Sequence, residues 1–448
     1  MEFLSEIPVV GGVLGIAIPF LVVLSVVVFV HEYGHYIVGR WCGIQAETFS
    51  IGFGKRLFSW VDKRGTRWQV AIIPLGGFVK FVGDMDPASA KKSDEDLAPE
   101  LQKVAFHNAS IGARALTVLA GPMANFLLSI VIFTGIALVL GHSTDKPVVG
   151  EVYETDGVSE GLQVGDRVFS VGGTEVETWN EMLHQFQTTD GAEVPVEIER
   201  DGTRQTVIAR YQNRPIVDQV SPGMPAAQAG MRHGDVILEV NGEAVSSFHQ
   251  LRVLTSELAL NTEIDVLVQR DGEARLFEFT PDVVERAHPE TGEMVDQATM
   301  GISSLAFGGL RPTREPVGFL TALEGGVQAT WSVIVNTLTF LGDMIFTNAD
   351  TSQLGGPIGI AQISADQAKA GIGNLISLIG LLSTSIGLLN LFPIPILDGG
   401  HLVFYAAEAL RGKPLGERWM NAAMGVGLSL VLLLMGFATY NDLTRLAG

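Results

Sequence analysis

The stretch VVVFVHEYGHYIVGR, residues 26–40, places two histidines and a glutamate directly after a run of apolar residues. The segment HEYGH has the form H-E-x-x-H, and on a helix His31 and His35 lie on one face, where both can bind one zinc ion. Glu32 then lies beside the metal, where it can take a proton from a zinc-bound water. The structural alternative is a pair of interfacial histidines at a helix end, but ionisable groups within membrane segments are rare and usually functional.

A catalytic zinc ion needs three protein ligands and an open position for water. The segment NLFPIPILDGGH, residues 390–401, offers two candidates for the third ligand, Asp398 and His401. Pro393 and Pro395 predict a break in the helix, and the two glycines that follow the aspartate permit a tight turn. Asp398 is the first choice and His401, further past the turn, is the rival. The alternative, purely structural interpretation of Asp398 is a helix cap.

The composition predicts a multi-pass membrane protein. Hydrophobic residues make up 47% of the 448 residues and charged residues 17%. Stretches without Asp, Glu, Lys or Arg, each long enough to cross a bilayer, lie at residues 8–30, 115–141, 375–397 and 419–440. The first stretch lacks a basic region before it, so we interpret it as a span and not as a cleaved signal peptide. A net charge of −20 argues against nucleic acid as a partner.

The positions of the basic residues predict how the apolar helices are oriented in the membrane. They cluster after the first apolar stretch, at residues 55–80, and before the last, at residues 411–418. The positive-inside rule places both clusters in the cytoplasm, and the N-terminus outside. Asp398 and the two histidines are then expected near the cytoplasmic side, at one depth. Residues 316–348 are interpreted as an amphipathic helix that lies on or dips into the outer face of the membrane, and not as a fifth span.

Two regions between the apolar stretches predict β-structure. Residues 47–83 alternate apolar and polar side chains and predict a small membrane-associated sheet. In the second region GLQVGDRVFSVGG, residues 161–173, recurs as GMRHGDVILEVNG, residues 230–242, which predicts two tandem copies of a small domain. Their pattern of turns, strands and one helix is typical of PDZ-like domains, although two β-modules without a ligand would have the same pattern.

These motifs together resemble the site-2 protease family. The resemblance rests on HEYGH in the first span, NLFPIPILDGG at the end of the third, GPMAN in the second, two PDZ-like copies and LGGPIGI at residues 354–360. It implies that His31, His35 and Asp398 bind Zn²⁺ and that Glu32 is the catalytic base. It also implies that the segment containing Asn390, Pro393 and Pro395 binds the substrate. Gly121, Pro122 and Asn125 of GPMAN match a motif of the family's second span, and we interpret their role as packing.

The predicted fold class is a multi-pass α-helical membrane protein with about four transmembrane helices, a small membrane-associated β-sheet and two tandem PDZ-like α+β domains. The predicted segments, in chain order, are the first transmembrane helix (1–46), the β-region and cytoplasmic loop (47–103), the second helix (104–142), PDZ-like domains (143–214 and 215–285), a linker with amphipathic helices (286–372), the third helix (373–412) and the fourth (413–448).

The resemblance implies a zinc metalloendopeptidase that performs regulated intramembrane proteolysis in the bacterial inner membrane, as part of a stress response. Its expected substrates are single-span membrane proteins, such as anti-sigma factors, and remnant signal peptides. The PDZ-like domains are expected in the periplasm. Two other classes compete: a metal transporter, which would show its repeat in the membrane part, and a catalytically inactive scaffold, which would not need Glu32.

Overall fold

The computed structural model describes residues 8–83, 98–152, 159–189, 192–211, 215–221, 224–270, 272–287, 294–304, 310–346, 356–413 and 415–447. The chain divides into two compact units, residues 1–139 with 318–443 and residues 140–317 with 444–448. The first unit contains the long apolar helices and one sheet, and the second contains the repeated β-rich region.

The longer helices, labelled in chain order, are Pro8–Trp41 (α1), Ile111–Leu140 (α2), Trp179–Thr188 (α3), Phe248–Glu257 (α4), Phe319–Phe346 (α5), Pro357–Ala370 (α6), Ile372–Asn390 (α7), Asp398–Arg411 (α8) and Glu417–Ala447 (α9). Short helical segments are Pro99–Gln102, Phe106–Asn108 and Pro225–Gln228. Within the described residues, the segments long and apolar enough to cross a membrane are Leu14–Trp41, Ile111–Leu140, Ile372–Asn390 and Arg418–Thr444. These four helices agree with the four predicted apolar stretches.

The strands, labelled in chain order, are Ala46–Val61 (β1), Arg67–Phe81 (β2), His142–Ser143 (β3), Val149–Val152 (β4), Ser159–Glu160 (β5), Arg167–Val171 (β6), Thr174–Glu175 (β7), Val194–Arg200 (β8), Thr203–Tyr211 (β9), Val217–Val220 (β10), Val236–Val240 (β11), Glu243–Ala244 (β12), Ile264–Arg270 (β13), Glu273–Phe279 (β14), Asp282–Ala287 (β15), Met294–Thr299 (β16), Ile302–Ser304 (β17), Leu310–Pro312 (β18) and Arg314–Glu315 (β19). The β-structure predicted for residues 47–83 is therefore present as β1 and β2.

The sheet of the first unit is made from two long, bent strands. Residues 48–51 of β1 pair with residues 67–70 of β2 on one side and with residues 77–80 on the other. The first half of β1 is therefore the centre of the sheet, and residues 77–81 form an edge that lies against α1. Away from this edge the sheet exposes large apolar side chains, Phe53, Leu57, Phe58, Trp60, Ile72 and Ile73.

An aromatic cluster and one carboxylate join this sheet to α1. Tyr36 of α1 packs its ring 5.8 Å from that of Phe49 and 5.2 Å from that of Trp68. Asp62, in the turn between the strands, accepts hydrogen bonds from the Tyr36 hydroxyl at 3.3 Å and from Trp68 Nε1 at 3.1 Å. Since Tyr36 directly follows His35, these contacts fix the sheet against the helix turn that carries the histidines.

The second unit contains the same β-rich module twice. Strands β6, β8 and β9 with helix α3 in the first copy correspond to β11, β13 and β14 with helix α4 in the second, in the same sheet order. Each copy has its own buried core: Trp179, Met182 and Phe186 of α3 lie in the first, and Leu251 of α4 in the second. The repeat seen in the sequence is therefore a repeat of structure.

Candidate metal centre

Helix α1 presents two imidazoles on one face. His31 and His35 lie four residues apart, which is about one helical turn. Their Nε2 atoms are 3.1 Å from each other, and both side chains are mostly buried. Buried imidazoles stabilise a fold only when their nitrogen atoms have partners, so the surroundings of these two rings indicate what the site binds.

Asp398 comes to the two histidines from the other end of the chain. Helix α7 ends at Asn390, and α8 begins at Asp398 itself, after the proline-containing segment between them. The carboxylate oxygen Oδ2 lies 3.1 Å from His31 Nε2 and 3.5 Å from His35 Nε2. A Cβ atom on Gly399 or Gly400 would collide with the carbonyl oxygen of Leu391 or of Ile394, so only glycine lets the chain fold back tightly enough.

These three side chains fit a zinc ion. Their ligand atoms all lie within 4.8 Å of one another, and two ligands of a tetrahedral zinc ion at ordinary bond lengths are about 3.3 Å apart. Asp398 Oδ2 is buried, and within the described residues no donor points at it in hydrogen-bonding geometry. Three lone-pair atoms that converge in this way repel one another unless a cation or a proton lies between them. Two imidazoles and one carboxylate are also a donor set of catalytic zinc sites.

Helix α2 contacts the Nδ1 atoms of both imidazoles. His35 Nδ1 lies 2.8 Å from the carbonyl oxygen of Thr117, so this nitrogen carries the proton and Nε2 keeps its lone pair for a metal. His31 Nδ1 lies 3.2 Å from the side-chain amide of Asn125. A Cβ atom on Gly121 would collide with ring atoms of both histidines, so α2 can approach only with a glycine at this position.

Sequence reasoning assigned the GPMAN segment of α2 a packing role and did not connect it to the histidines. Gly121 does pack closely, but it packs against the imidazole rings themselves. Asn125 is completely buried. The available signal was an amide side chain in the middle of an apolar span, because polar groups at such positions are usually functional.

Glu32 lies on the side of α1 that faces the sheet. Its Oε2 accepts a hydrogen bond of 3.0 Å from the backbone N–H of Val79, at the edge of β2. A Cβ atom on Gly77 would be 3.4 Å from Glu32 Cγ and 2.7 Å from the Ser50 carbonyl oxygen. The missing side chain at Gly77 therefore lets the strand approach both Glu32 and its partner strand closely.

The remaining predicted residues lie along the segment that leads to Asp398. Asn390 is the last residue of α7 and is half-buried, whereas Pro393 is exposed. Pro395 contacts α9, where a Cβ atom on Gly427 would be 3.2 Å from its Cδ. Within the part of the chain that the structure describes, the group of potential metal ligands consists of His31, His35 and Asp398. It does not include the residues of this segment or His401.

The fold and site define a class of membrane protein with a metal centre of the hydrolytic type. A model of peptidase family M50 matches residues 19–434, and the chain therefore belongs to this family. The predicted resemblance to site-2 proteases is confirmed by this match.

Curated relatives from several bacteria cover nearly the whole chain. A protein of Mesorhizobium japonicum whose name describes a zinc metalloprotease is 39% identical, over 96% of this chain and 99% of its own length. One of Agrobacterium fabrum with a similar name is 36% identical over 98% of both chains. The regulator of sigma-E protease RseP of Salmonella typhimurium is 30% identical, over 95% of this chain and 98% of its own. The chain is thus a zinc metalloprotease.

Among solved structures, a PDZ domain of an SdrC-like protein from Listeria monocytogenes matches 21% of this chain and 88% of its own length. The sequence identity of this pair is 16% and the TM-score is 0.17.

Proposed function

We propose that this zinc metalloprotease hydrolyses peptide bonds within the transmembrane segments of single-span membrane proteins. The observation that carries the proposal is the convergence of His31, His35 and Asp398 at the end of a candidate span, beside Glu32 and the edge of a sheet. Such a site would combine a bound metal ion, a base and a surface for an extended peptide in one place.

His31, His35 and Asp398 would hold the zinc ion. When bound, the ion lowers the pKa of a water molecule and polarises a carbonyl group. Glu32 takes the proton of the attacking water and passes it to the leaving amine, as a general base and then a general acid. The N–H of Val79 holds one carboxylate oxygen of Glu32, which orients the other for this transfer.

A substrate must be extended before it can react, because a helix protects its own carbonyl groups with internal hydrogen bonds. The edge of β2 at residues 77–81 lies beside Glu32, and an extended substrate would pair with this edge as an added strand. Its carbonyl groups would compete with Glu32 for the Val79 N–H. Asn390, Pro393 and Pro395 would contact the same peptide from the segment that joins α7 to α8.

The membrane orientation is part of the proposal. Basic residues after α1 and before α9 would lie in the cytoplasm of a bacterium, and α1 would begin outside the inner membrane. The zinc site would then be near the cytoplasmic side and the repeated modules in the periplasm. The apolar side chains that β1 and β2 expose support contact of this sheet with the bilayer. Reaction of Cys42, the single cysteine, with an impermeant reagent added only from the periplasm would contradict this orientation.

The repeated modules are proposed to be PDZ-like filters that exclude substrates with bulky periplasmic domains. Each has four sheet strands in the same order and a helix of 10 residues, and the period of the sequence repeat matches one such module. Substrates already shortened by another protease, such as anti-sigma factors, or remnant signal peptides would then be accepted. Deletion of residues 145–285 should allow cleavage of uncut substrates, and unchanged selectivity would refute the filter.

One experiment tests the catalytic proposal. Wild type, Glu32→Gln and the exposed control Glu100→Gln are purified in detergent and mixed with a single-span substrate that carries a label at each end. We expect cleavage by wild type and Glu100→Gln only, with equal zinc content in all three proteins by elemental analysis. Cleavage by Glu32→Gln at the wild-type rate would contradict the role of Glu32.

A further inference from the structure

The side chain of Asn125, beside the metal centre, has a hydrogen-bond partner for one of its amide atoms but not for the other among the described residues. It is completely buried in α2, and its amide lies 3.2 Å from Nδ1 of His31. With Nδ2 facing the imidazole, Oδ1 is buried and has no hydrogen-bond partner among the residues that the structure describes. A buried acceptor without a donor is costly, so this amide calls for an explanation.

The chemistry of His31 determines which amide atom faces it. His31 Nε2 points into the group of ligands, 3.1 Å from Asp398 Oδ2. To bind a metal through Nε2 the neutral ring must carry its proton on Nδ1. Nδ1 is then a donor and needs an acceptor, whereas the amide Nδ2 is itself a donor. Two donors cannot form this hydrogen bond.

A half-turn of the amide about its Cβ–Cγ bond removes the conflict. The oxygen and nitrogen of an asparagine side chain have nearly the same shape, and the hydrogen-bond network determines their assignment. The orientation with Nδ2 toward the imidazole leaves Oδ1 without a donor among the described residues, so the proton on His31 Nδ1 decides which amide atom faces the ring. With Oδ1 toward Nδ1, the His31 ring is held in the tautomer whose Nε2 is free.

His35 shows the same arrangement with a different acceptor. Its Nδ1 lies 2.8 Å from the backbone carbonyl oxygen of Thr117, which can only accept. Thr117 and Asn125 lie on the same helix α2, which thus supplies one acceptor for each imidazole. The two histidine ligands on α1 therefore have their orienting partners on one packed helix, α2, whereas Asp398 comes from the start of α8.

The backbone around Asn125 is held in place by α7. Its carbonyl oxygen accepts hydrogen bonds from the hydroxyl groups of Ser129 at 3.0 Å and of Ser383 at 2.9 Å. A Cβ atom on Gly387 would be 3.1 Å from the Asn125 Cβ. Helix α7 thus fixes the asparagine, and its chain continues to Asp398.

We propose that Asn125 is a positioning residue for the zinc site: its Oδ1 accepts the Nδ1–H of His31 and holds that imidazole in the metal-binding tautomer. The inference rests on the proposed role of His31 as a zinc ligand. Groups that orient a ligating histidine in this way usually change metal affinity about 10- to 100-fold when they are removed.

The test measures zinc affinity and does not depend on a substrate. Metal-free full-length protein in detergent is titrated with Zn²⁺ in competition with a chromophoric chelator, and with Co²⁺, whose visible spectrum reports tetrahedral coordination. The variants are Asn125→Leu, Asn125→Ala and Asn125→Asp. Thr134→Val is the matched control, because Thr134 is also buried in α2, and its hydroxyl lies beside Gly326 of α5.

The order of the affinities decides the outcome. Asn125→Leu and Asn125→Ala should bind Zn²⁺ about 10- to 100-fold more weakly, with an altered Co²⁺ spectrum. Asn125→Asp should keep wild-type affinity within a few-fold or exceed it, because a carboxylate accepts the same Nδ1–H. A residue that only packs would show the reverse order, since leucine fills the site and a buried charge disturbs it.

The reverse order, or wild-type affinity in the alanine and leucine variants, would overturn the proposal. If Asn125→Leu does not fold, the comparison of the alanine and aspartate variants still separates a positioning role from a packing role. Failure of wild type to bind Zn²⁺ would instead refute the proposed zinc site. The two failures are therefore distinguishable.

Discussion

Two aspartates, one in each unit of the chain, have buried carboxylate oxygens that differ in their hydrogen-bond partners. Asp235 in the second unit accepts two hydrogen bonds of 2.6 Å from Arg270 and a third from the N–H of Arg232. Asp398 in the first unit faces two imidazole nitrogens, and its Oδ2 accepts no hydrogen bond within the described residues.

The difference separates a carboxylate whose oxygens are bonded within the fold from one that is available to bind a cation, as we propose for Asp398. Asp166, the counterpart of Asp235 in the first module, has the same arrangement, with Arg200 Nε and Nη2 each at 2.7 Å. A carboxylate with every oxygen occupied has no position left for a metal ion. An oxygen held near two other lone-pair atoms, with no donor of its own, has a position that only a cation or a proton can fill.

Substitution of Asp398 should have the largest effect. We expect Asp398→Asn to reduce zinc affinity and proteolysis by more than about 100-fold, because loss of an outer partner alone costs 10- to 100-fold. The matched control is Asp366→Asn, since Asp366 forms an exposed pair with Lys369. Zinc content after dialysis and cleavage of a labelled substrate check the expectation. Full zinc content in Asp398→Asn would place the third ligand elsewhere, with His401 the next to examine.

A methyl group on α2 should disturb the same site without removing a ligand. Gly121→Ala would bring a Cβ atom into the rings of His31 and His35, and we expect zinc affinity to fall about tenfold or more. Gly135→Ala is the control on the same helix, where a Cβ atom meets nothing within 4 Å. Chelator competition measures both variants. Equal zinc affinity in the two would contradict the tight packing of α2 against the imidazoles.

Substitution of Asp235 should destabilise the second unit and leave the zinc site unchanged. Removing one partner of a buried ion pair leaves an uncompensated charge, so we expect Asp235→Asn to cost about 3 kcal/mol. Glu273→Gln is the control, because the Glu273–Arg275 pair is exposed and such pairs contribute about 1 kcal/mol or less. Hydrogen exchange of β13 and β14 in the intact protein would report the loss. A change in zinc content would show that the two carboxylates are not independent.

The smallest expected effect is on the stability of the turn between β1 and β2, where Asp62 accepts a hydrogen bond from Tyr36 of α1. Burial raises the pKa of Asp62, but hydrogen bonds from Trp68 Nε1 and from the N–H groups of Thr66 and Arg64 outweigh it and lower the pKa below its ordinary value. The charged form is therefore favoured in the folded state. Its stabilising contribution is present above the unfolded pKa of about 4 and is lost as the pH falls through the folded pKa.

Hydrogen exchange of residues 62–70 can test this dependence. At about pH 6 the turn should be better protected in wild type than in Asp62→Asn, and the difference should shrink toward about pH 2. The effect is small because Asp62 is only half-buried. A difference that stays constant over this range would show that the carboxylate charge contributes nothing.

The sequence predicted the membrane part of the fold because apolar length is a local property. When each of the four apolar stretches forms a helix, its backbone hydrogen bonds are made within the stretch itself. No distant residue is therefore needed to specify the helix. The repeated modules were also predictable, since the same residues recur at the same turns. What the sequence could not predict is the pairing of β1, whose first half lies between two parts of β2.

The metal centre was predictable only in part. His31 and His35 are related by one helical turn, so their spacing in the sequence already places them together. Asp398 and His401 were both open as the third ligand, because the distance along the chain contains no information on which side chain turns inward. The structure groups Asp398 with the histidines because two glycines allow the chain to fold back on itself.

By itself the sequence determined the types of residue that could bind zinc, the number of apolar helices and the presence of a repeat. All of these follow from local spacing, which a helix or a turn converts directly into proximity. The tertiary structure alone decided that α2 supplies Thr117 and Asn125 to the two imidazoles and that Val79 meets Glu32. Such contacts depend on how helices and strands pack, and packing joins residues whose separation in the sequence is unrelated to their distance in space.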